Sequence, residues 1–314
     1  MPSSRRDPVA DPVLPPGPSP VDLHTHTSRS DGVLAPAALV EAAAAAGVRL
    51  LAISDHDTLA APRELTAAGA PPLPVGLELL PAVEINSVAR DVPDLADGEL
   101  HLLGLGVDPQ DEAFEAVLAA QRERRRARFA AMVARLRASG MAVEAELERL
   151  DLQGVDALGR PSLARALVAG GHATSVHDAF ARLVGRDAPG YVPREGIGPI
   201  EAIAAIRAAG GLAVLAHFAA APRRPALLRS LVDAGLDGLE VHYRGFDRAA
   251  VADLAGLASE LGLVATGGTD FHGDDETYAQ AHASVWVPPE TGDAVHGALR
   301  RPGLAVDAAG VGAR

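Results

Sequence analysis

From residue 21 onward, short apolar runs alternate with Ala/Leu-rich stretches of helical period. The runs are PVDLHTH, VRLLAISDHD, LELLPAVEINS, LHLLGLGVD, GLAVLAHF, GLEVHY and GLVATGGTDFH. Helical stretches at 36–46, 199–209, 224–234 and 247–261 follow several of them. Short buried strands alternating with helices predict parallel βα units, arranged as an open sheet or a barrel. The glycine of AAGV, AAGG, DAGL and ELGL stands where each helix must end before the next strand.

Residues 108–190 break this rhythm. They hold helical patterns and no convincing strand, and SVHDAF opens close to a capping box with Ser175 and Asp178. An all-helical block inside an α/β frame predicts an inserted cap. Residues 1–20, Pro-rich and polar, predict a disordered lead-in without the apolar centre of a signal peptide. Residues 301–314 form a C-terminal tail. No run approaches the roughly 20 apolar residues of a membrane span, so a cytoplasmic location is expected.

Composition narrows the chemistry. Among 314 residues there is no cysteine, and all 28 basic residues are arginine. Thiolate nucleophiles, Cys-type zinc sites, disulfides, Schiff-base lysines and P-loop lysines are therefore excluded. A net charge of −13 argues against wrapping long duplex nucleic acid. It leaves open a small anionic substrate at a metal site, where the ions set the local field.

The polar residues are placed unevenly. Six of the seven runs carry potential ligands at an end: His24 and His26, His56, Glu84, His101, His217, and Asp270 with His272. His101 opens its run instead of closing it, and GLEVHY ends on His242. In parallel α/β architectures the strand ends form one face where sites assemble. Any one histidine there is more often structural, but joint placement at the same point of successive units points to bound metal. Imidazole and carboxylate suit Mn, Fe or Zn.

The motifs HTHTSRSDG, ISDHD, PAVEIN, HLLG, AHF and GTDFH, in this order, resemble the PHP (polymerase and histidinol phosphatase) family of metal-dependent phosphoesterases. The resemblance implies an α/β fold, a distorted (β/α)7 barrel over 21–107 and 191–300 with the helical cap 108–190 inserted. It implies two or three divalent ions, Mn foremost. One would be held by His24, His26, Glu84 and Asp270, a second by Glu84, His101 and His217, and a third by Asp31, His56 and His272. Attack by a metal-bridging hydroxide on a phosphate ester would follow.

The segment GRPSLARALVAGGHATSVHDAFARLVGRDAPGYVP resembles the cap of one subgroup. That subgroup comprises nucleoside 3′,5′-bisphosphate 3′-phosphatases and RNase AM-type 5′→3′ exoribonucleases. Arg160 and Arg194 stand where contacts to a second phosphate are expected. Ser162 and Phe218 stand where members often carry His and Pro. The expected substrate is a small phosphorylated nucleotide or a short 5′-phosphorylated RNA. Alternatives are a histidinol-phosphate phosphatase, an amidohydrolase-type hydrolase (disfavoured by the lack of lysine) and a non-catalytic metal-binding PHP module.

Three carboxylates beside the ligands, Asp22, Asp55 and Asp57, are expected to orient imidazoles by accepting their second N–H, and His242 to stand just behind the ligands. The arginine run 122–129 reads as a solvated helix face, with Arg122, Arg125 and Arg126 on one side. His172, His177, His282 and His296 are expected at the surface.

Overall fold

The structure, a computed structural model, describes residues 18–301 apart from 91, 93, 94, 96, 97, 151 and 153. Most of the expected lead-in and nearly all of the tail lie outside the described residues. Seven strands coincide with the seven apolar runs: β1 (Val21–Asp22), β2 (Leu50–Ile53), β3 (Glu78–Val88), β4 (Glu99–Leu105), β5 (Leu212–Leu215), β6 (Gly238–Tyr243) and β7 (Val264–Gly268). They pair in chain order. The chain beyond β1 returns to β7, where Leu23 N–H donates to the Gly267 carbonyl at 3.1 Å. A nearly closed barrel results.

Four of the neighbouring pairs are parallel, as the βα rhythm predicts, but β4 runs antiparallel to both β3 and β5. The physical reason is the connection. A parallel crossover needs a dozen or more residues and usually a helix, whereas only residues 89–98 join β3 to β4. The reversal brings the start of β4 to the rim where the other strands end. His101 therefore opens its run and still reaches that rim.

Helices α1 (Pro36–Ala45) and α2 (Ala60–Thr66) follow β1 and β2. After β4 come α3 (Glu112–Ala138), α4 (Glu144–Arg149), α5 (Arg160–Ala169) and α6 (Val176–Ala179), the last running into a π-helical turn at Phe180–Val184. The chain then resumes with α7 (Pro199–Ala208), α8 (Pro225–Asp233), α9 (Arg248–Leu261), α10 (Tyr278–Ala283) and α11 (Glu290–Leu299). Proline opens α1, α7 and α8, where its missing N–H removes no helical bond. Gly47, Gly210, Gly235 and Gly262, just past α1, α7, α8 and α9, have φ of 93°, 78°, 101° and 67°, a region that disfavours any side chain.

The barrel interior is apolar below the rim, filled by Leu23, Leu103, Leu105 and Val214 among others. The helices after β4 have their own core around Met132, Leu136, Leu163, Leu167 and Leu183. The two are joined by α3, roughly 40 Å long at 1.5 Å per residue. Its buried stripe runs Phe114, Leu118, Gln121, Arg125, Arg128, Met132, Leu136. Phe114 and Leu118 pack in the barrel's outer core and Met132 and Leu136 in the second core, so the polar middle of the stripe spans the gap between them. Arg125 and Arg128 are thus buried, and the solvated-face reading fails for them. Arg126 alone of the expected trio is exposed, against Glu123.

His177 is exposed and His172 and His296 are half-buried, but His282 is buried with its ring stacked 5.7 Å from Tyr278. No helix among the described residues is long and apolar enough to cross a membrane.

Candidate metal centre

Six of the seven strands bring side chains at the rim into one cluster. Beyond β1 the chain stays extended, so His24 and His26 project to the same side. β2 leads to His56, β3 carries Glu84, β4 carries His101, β5 leads to His217, and β7 leads to Asp270 and His272. Asp31 enters from the turn after His26.

Glu84 is the hub. Its Oε2 lies 3.5 Å from His24 Nε2, 3.3 Å from His26 Nε2 and 3.0 Å from His56 Nδ1. Its Oε1 lies 2.7 Å from His101 Nδ1 and 3.1 Å from His217 Nε2. Asp270 Oδ1 stands 3.3 and 3.2 Å from the Nε2 atoms of His24 and His26. Asp31 faces His56 Nε2 at 3.4 Å and His272 Nε2 at 3.3 Å. Four overlapping sets have donor atoms within 4.8 Å of one another: His26, Asp31, His56 and His272; His24, His26 and Glu84; His24, His217 and Asp270; and Glu84, His101 and His217. All nine expected ligands are brought together.

The donor set fits divalent cations. His24 Nε2, both ring nitrogens of His26 and His56 Nδ1 are buried without a hydrogen-bond partner, which is costly unless something else binds them. Each faces carboxylate oxygens, and nitrogen and oxygen donors converging in this way are what Mn, Fe or Zn takes. Without an ion, the two kinds of group perturb each other. Burial disfavours charge on His26, but the carboxylates of Asp270 and Glu84, 3.2 and 3.3 Å from its Nε2, push it up to about 10. Glu84 and Glu99 similarly raise His101 to about 9 against the effect of burial. Surrounding imidazoles overcome burial and hold Asp31, Glu84 and Asp270 below the ordinary carboxylate range.

Backbone strain gathers at the same place. His217 and Asp270 have φ of 30° and 49°, conformations that persist only when their surroundings impose them. Asp270 N–H donates to the His24 carbonyl at 2.7 Å, and His217 N–H donates to Glu240 Oε2 at 2.6 Å. At Gly268 a side chain could not fit, since a Cβ would lie 2.5 Å from His24 N and Cβ.

The residue that orients His24 is Glu240, whose Oε1 lies 2.9 Å from His24 Nδ1. It went unnoticed in the sequence, where His242 drew attention. β6 has a bulge: Glu240 pairs with Thr266, but His242 pairs with the next residue, Gly267. Consecutive partners on β7 face opposite sides, so Glu240 points into the barrel and His242 away from it. Among the described residues no hydrogen bond or ion pair links the His242 ring to the cluster, and burial lowers its pKa.

The flanking aspartates also differ from expectation, because among the described residues none accepts an imidazole N–H. Asp22 receives Thr269 Oγ1 at 2.9 Å and Tyr278 OH at 2.8 Å, clamping β1 to the chain after β7. Asp55 receives Thr27 N–H at 2.7 Å and Ser30 Oγ at 2.6 Å, shaping the turn that presents Asp31. Asp57 pairs with Arg125 Nε at 2.5 Å.

Above the cluster is a cleft of ≈ 210 Å³ lined by Glu84 and six of the other ligand candidates, all but His24 and His26, together with Arg125, Arg160, Arg194, Pro161 and Phe180. Arg194 is buried and bonded to Glu99 Oε2 at 2.8 Å; burial and the nearby Arg125 lower it to about 10. The Arg160 guanidinium lies 5.4 Å from the Phe180 ring. Asn86, two residues beyond Glu84 on the same strand face, has Nδ2 2.5 Å from His101 Nε2 and Oδ1 against Arg125. It links the ligand wall to the arginines, and its spacing in PAVEIN was the available signal.

No family model matches the chain. The 5′-3′ exoribonuclease Rnm of Salmonella typhimurium is 34% identical over 275 residues, 85% of this chain and 89% of that protein. The 3′,5′-nucleoside bisphosphate phosphatase of Chromobacterium violaceum is 32% identical over 278 residues, 86% and 93% of the two chains. A Bifidobacterium adolescentis structure, provisionally described as a metal-dependent phosphoesterase, aligns with a TM-score of 0.76 at 33% identity, covering 88% of this chain and 95% of that one. With such relatives over most of its length and a barrel rim that gathers the residues expected as ligands, the chain belongs to the PHP family of metal-dependent phosphoesterases.

Proposed function

We propose that this enzyme removes the 3′-phosphate from nucleoside 3′,5′-bisphosphates and trims short 5′-phosphorylated RNA from its 5′ end. One observation carries the reading: seven of the nine ligand candidates and three arginines line a single small cleft. The names of the Salmonella and Chromobacterium relatives support both halves of it.

In this reading His24, His26, Glu84 and Asp270 would hold one ion, Glu84, His101 and His217 a second, and Asp31, His56 and His272 a third, with Mn the preferred metal. Divalent ions bound there would supply a nucleophilic water at neutral pH and polarise the phosphoryl oxygens. The chain's own residues do the rest. Arg160 and Arg194 donate N–H bonds to the phosphate that is not cleaved, a planar fork matched to its oxygens. Arg125, fixed by Asp57 and Asn86, adds positive charge between them. Phe180 and Pro161 close the cleft and limit water. Tyr243 OH, 3.2 Å from Asp270 Oδ2, holds that carboxylate toward the histidines. Residues 108–190 act as a cap on a barrel of residues 21–107 and 191–300, and the enzyme works in the cytoplasm.

The test is orthophosphate release from a nucleoside 3′,5′-bisphosphate by the Mn-loaded protein, beside histidinol phosphate and a nucleoside 3′-monophosphate lacking the second anchor. The bisphosphate should be the best of the three. Absence of turnover with Mn, Fe and Zn, or preference for histidinol phosphate, refutes the proposal.

A further inference from the structure

A second concavity, a groove of ≈ 700 Å³, lies beside the cleft. It is lined by Val88, Arg90, Val92, Leu95 and Gly98 on one side and by residues of the segment 186–195, which returns the chain to the barrel, on the other. Arg194 lines both cavities, and Leu95 lines both the groove and a smaller hollow of ≈ 280 Å³ that shares His101, Arg160 and His217 with the cleft. The groove therefore continues the site. Its volume alone sits within the roughly 300–1,000 Å³ of whole small-molecule pockets.

Two arginines of the groove are anchored by backbone carbonyls. Arg90 donates from Nη2 to the Arg194 carbonyl, and Arg186 donates from Nη1 to the Leu95 carbonyl at 2.8 Å. Among the described residues neither meets a carboxylate in an ion pair. A guanidinium has five N–H donors, so one carbonyl bond fixes its position while leaving its charge and remaining donors for an anion. Tyr191 adds an aromatic ring, with Arg128 5.7 Å from its centroid. Cations tracking a backbone, interleaved with aromatic surface, are the equipment of a single-strand groove. Asp187 and Glu195 also line it, so the positive character is local to the two arginines, which suits a chain that must advance after each cut.

We propose that this groove is the track for the RNA chain downstream of the scissile bond, with Arg90 and Arg186 contacting successive phosphates. The assignment rests on the exoribonuclease half of the proposed function and makes the groove the determinant of chain-length preference. It predicts that the Mn-loaded protein binds a cleavage-resistant phosphorothioate RNA pentamer more tightly than the matching dinucleotide. In R90Q and R186Q, each checked for folding by thermal melting, the pentamer-over-dinucleotide affinity ratio should fall, by roughly tenfold in the double variant. The salt dependence of pentamer binding should drop by about 1.4 in log–log slope for two lost phosphate contacts. R126Q, on the exposed face of α3, serves as the control. An unchanged ratio, or equal loss on both ligands, overturns the track. Failure of the proposed function would register separately, as absent phosphate release from the bisphosphate, and leaves the binding ratio readable.

Discussion

Substituting Glu240 with alanine removes the acceptor of two buried bonds, one 2.9 Å from His24 Nδ1 and one 2.6 Å from His217 N. The first sets the tautomer of His24. With Nδ1–H held by the carboxylate, Nε2 keeps its lone pair directed at Glu84 and Asp270. Without that acceptor the proton can move to Nε2, and that tautomer cannot ligate a cation. Loss of such a supporting partner typically weakens metal affinity by about 10–100-fold, which is about 1.4–2.7 kcal/mol at 1.4 kcal/mol per decade. The second bond holds His217 at φ 30°, so a second ligand position loosens at the same time. The affinity should be read by chelator competition, with elemental analysis of dialysed protein for stoichiometry. Glu240→Gln provides the internal comparison: its single carbonyl oxygen can serve only one of the two donors, so its loss should lie between wild type and Glu240→Ala. Metal affinity in Glu240→Ala within twofold of wild type would refute the tautomer reasoning, as would equal losses in the two variants.

Four further outcomes follow from the geometry. In metal-free protein, His26 and His101 are raised to about 10 and about 9, so protonation favours the folded state. That contribution is complete below an ordinary histidine value of about 6.5 and disappears as pH rises through 9 and 10. The melting temperature of the metal-free protein should therefore fall across that window, while that of Mn-loaded protein, whose ions replace these protons, should not. Arg125→Ala leaves Asp57 as an uncompensated buried charge and should cost about 3–5 kcal/mol in denaturant unfolding; a loss below 1 kcal/mol would show that the pair is solvated. Gly268→Ala should displace His24 and lower metal content, measurable by elemental analysis, because the new Cβ would meet His24 N and Cβ at 2.5 Å. His272→Ala should lose the ion grouped with Asp31 and His56 while keeping the others, giving one equivalent less metal per chain.

Much of this was visible in the sequence because the ligands come in short-range clusters at strand ends. His24 with His26, and Asp270 with His272, are two residues apart, and a spacing of two on extended chain means convergence whatever the rest of the fold does. The supporting residues were harder to find. Glu240 and Asn86 sit inside apolar runs, and whether such a residue faces the interior depends on strand register. For Glu240 a bulge then reversed the expectation at His242, and bulges have no sequence mark comparable to a turn. The arginines of α3 were misassigned by one position of helical phase. The face predicted from 122, 125 and 126 lies beside the true stripe of 121, 125 and 128, which only the two flanking cores define. The antiparallel β4 was foreshadowed by the missing helix between LELLPAVEINS and LHLLGLGVD, a signal that the dominant parallel rhythm obscured.

The reversed strand β4 also bears on how this chain tolerates insertions and deletions over time. Across the β3–β4 pair, Asn86 stands opposite His101 and Glu84 opposite Leu103. Gain or loss of one residue within 99–101 would turn His101 outward, and one within 82–84 would do the same to Glu84, the residue every other ligand group leans on. Length changes in the joining loop 89–98 leave that pairing untouched while reshaping the mouth of the neighbouring groove. Natural length variation among relatives should therefore concentrate in the loop and stop abruptly at the strands, so that substrate preference can drift while the reading frame of the ligands stays locked.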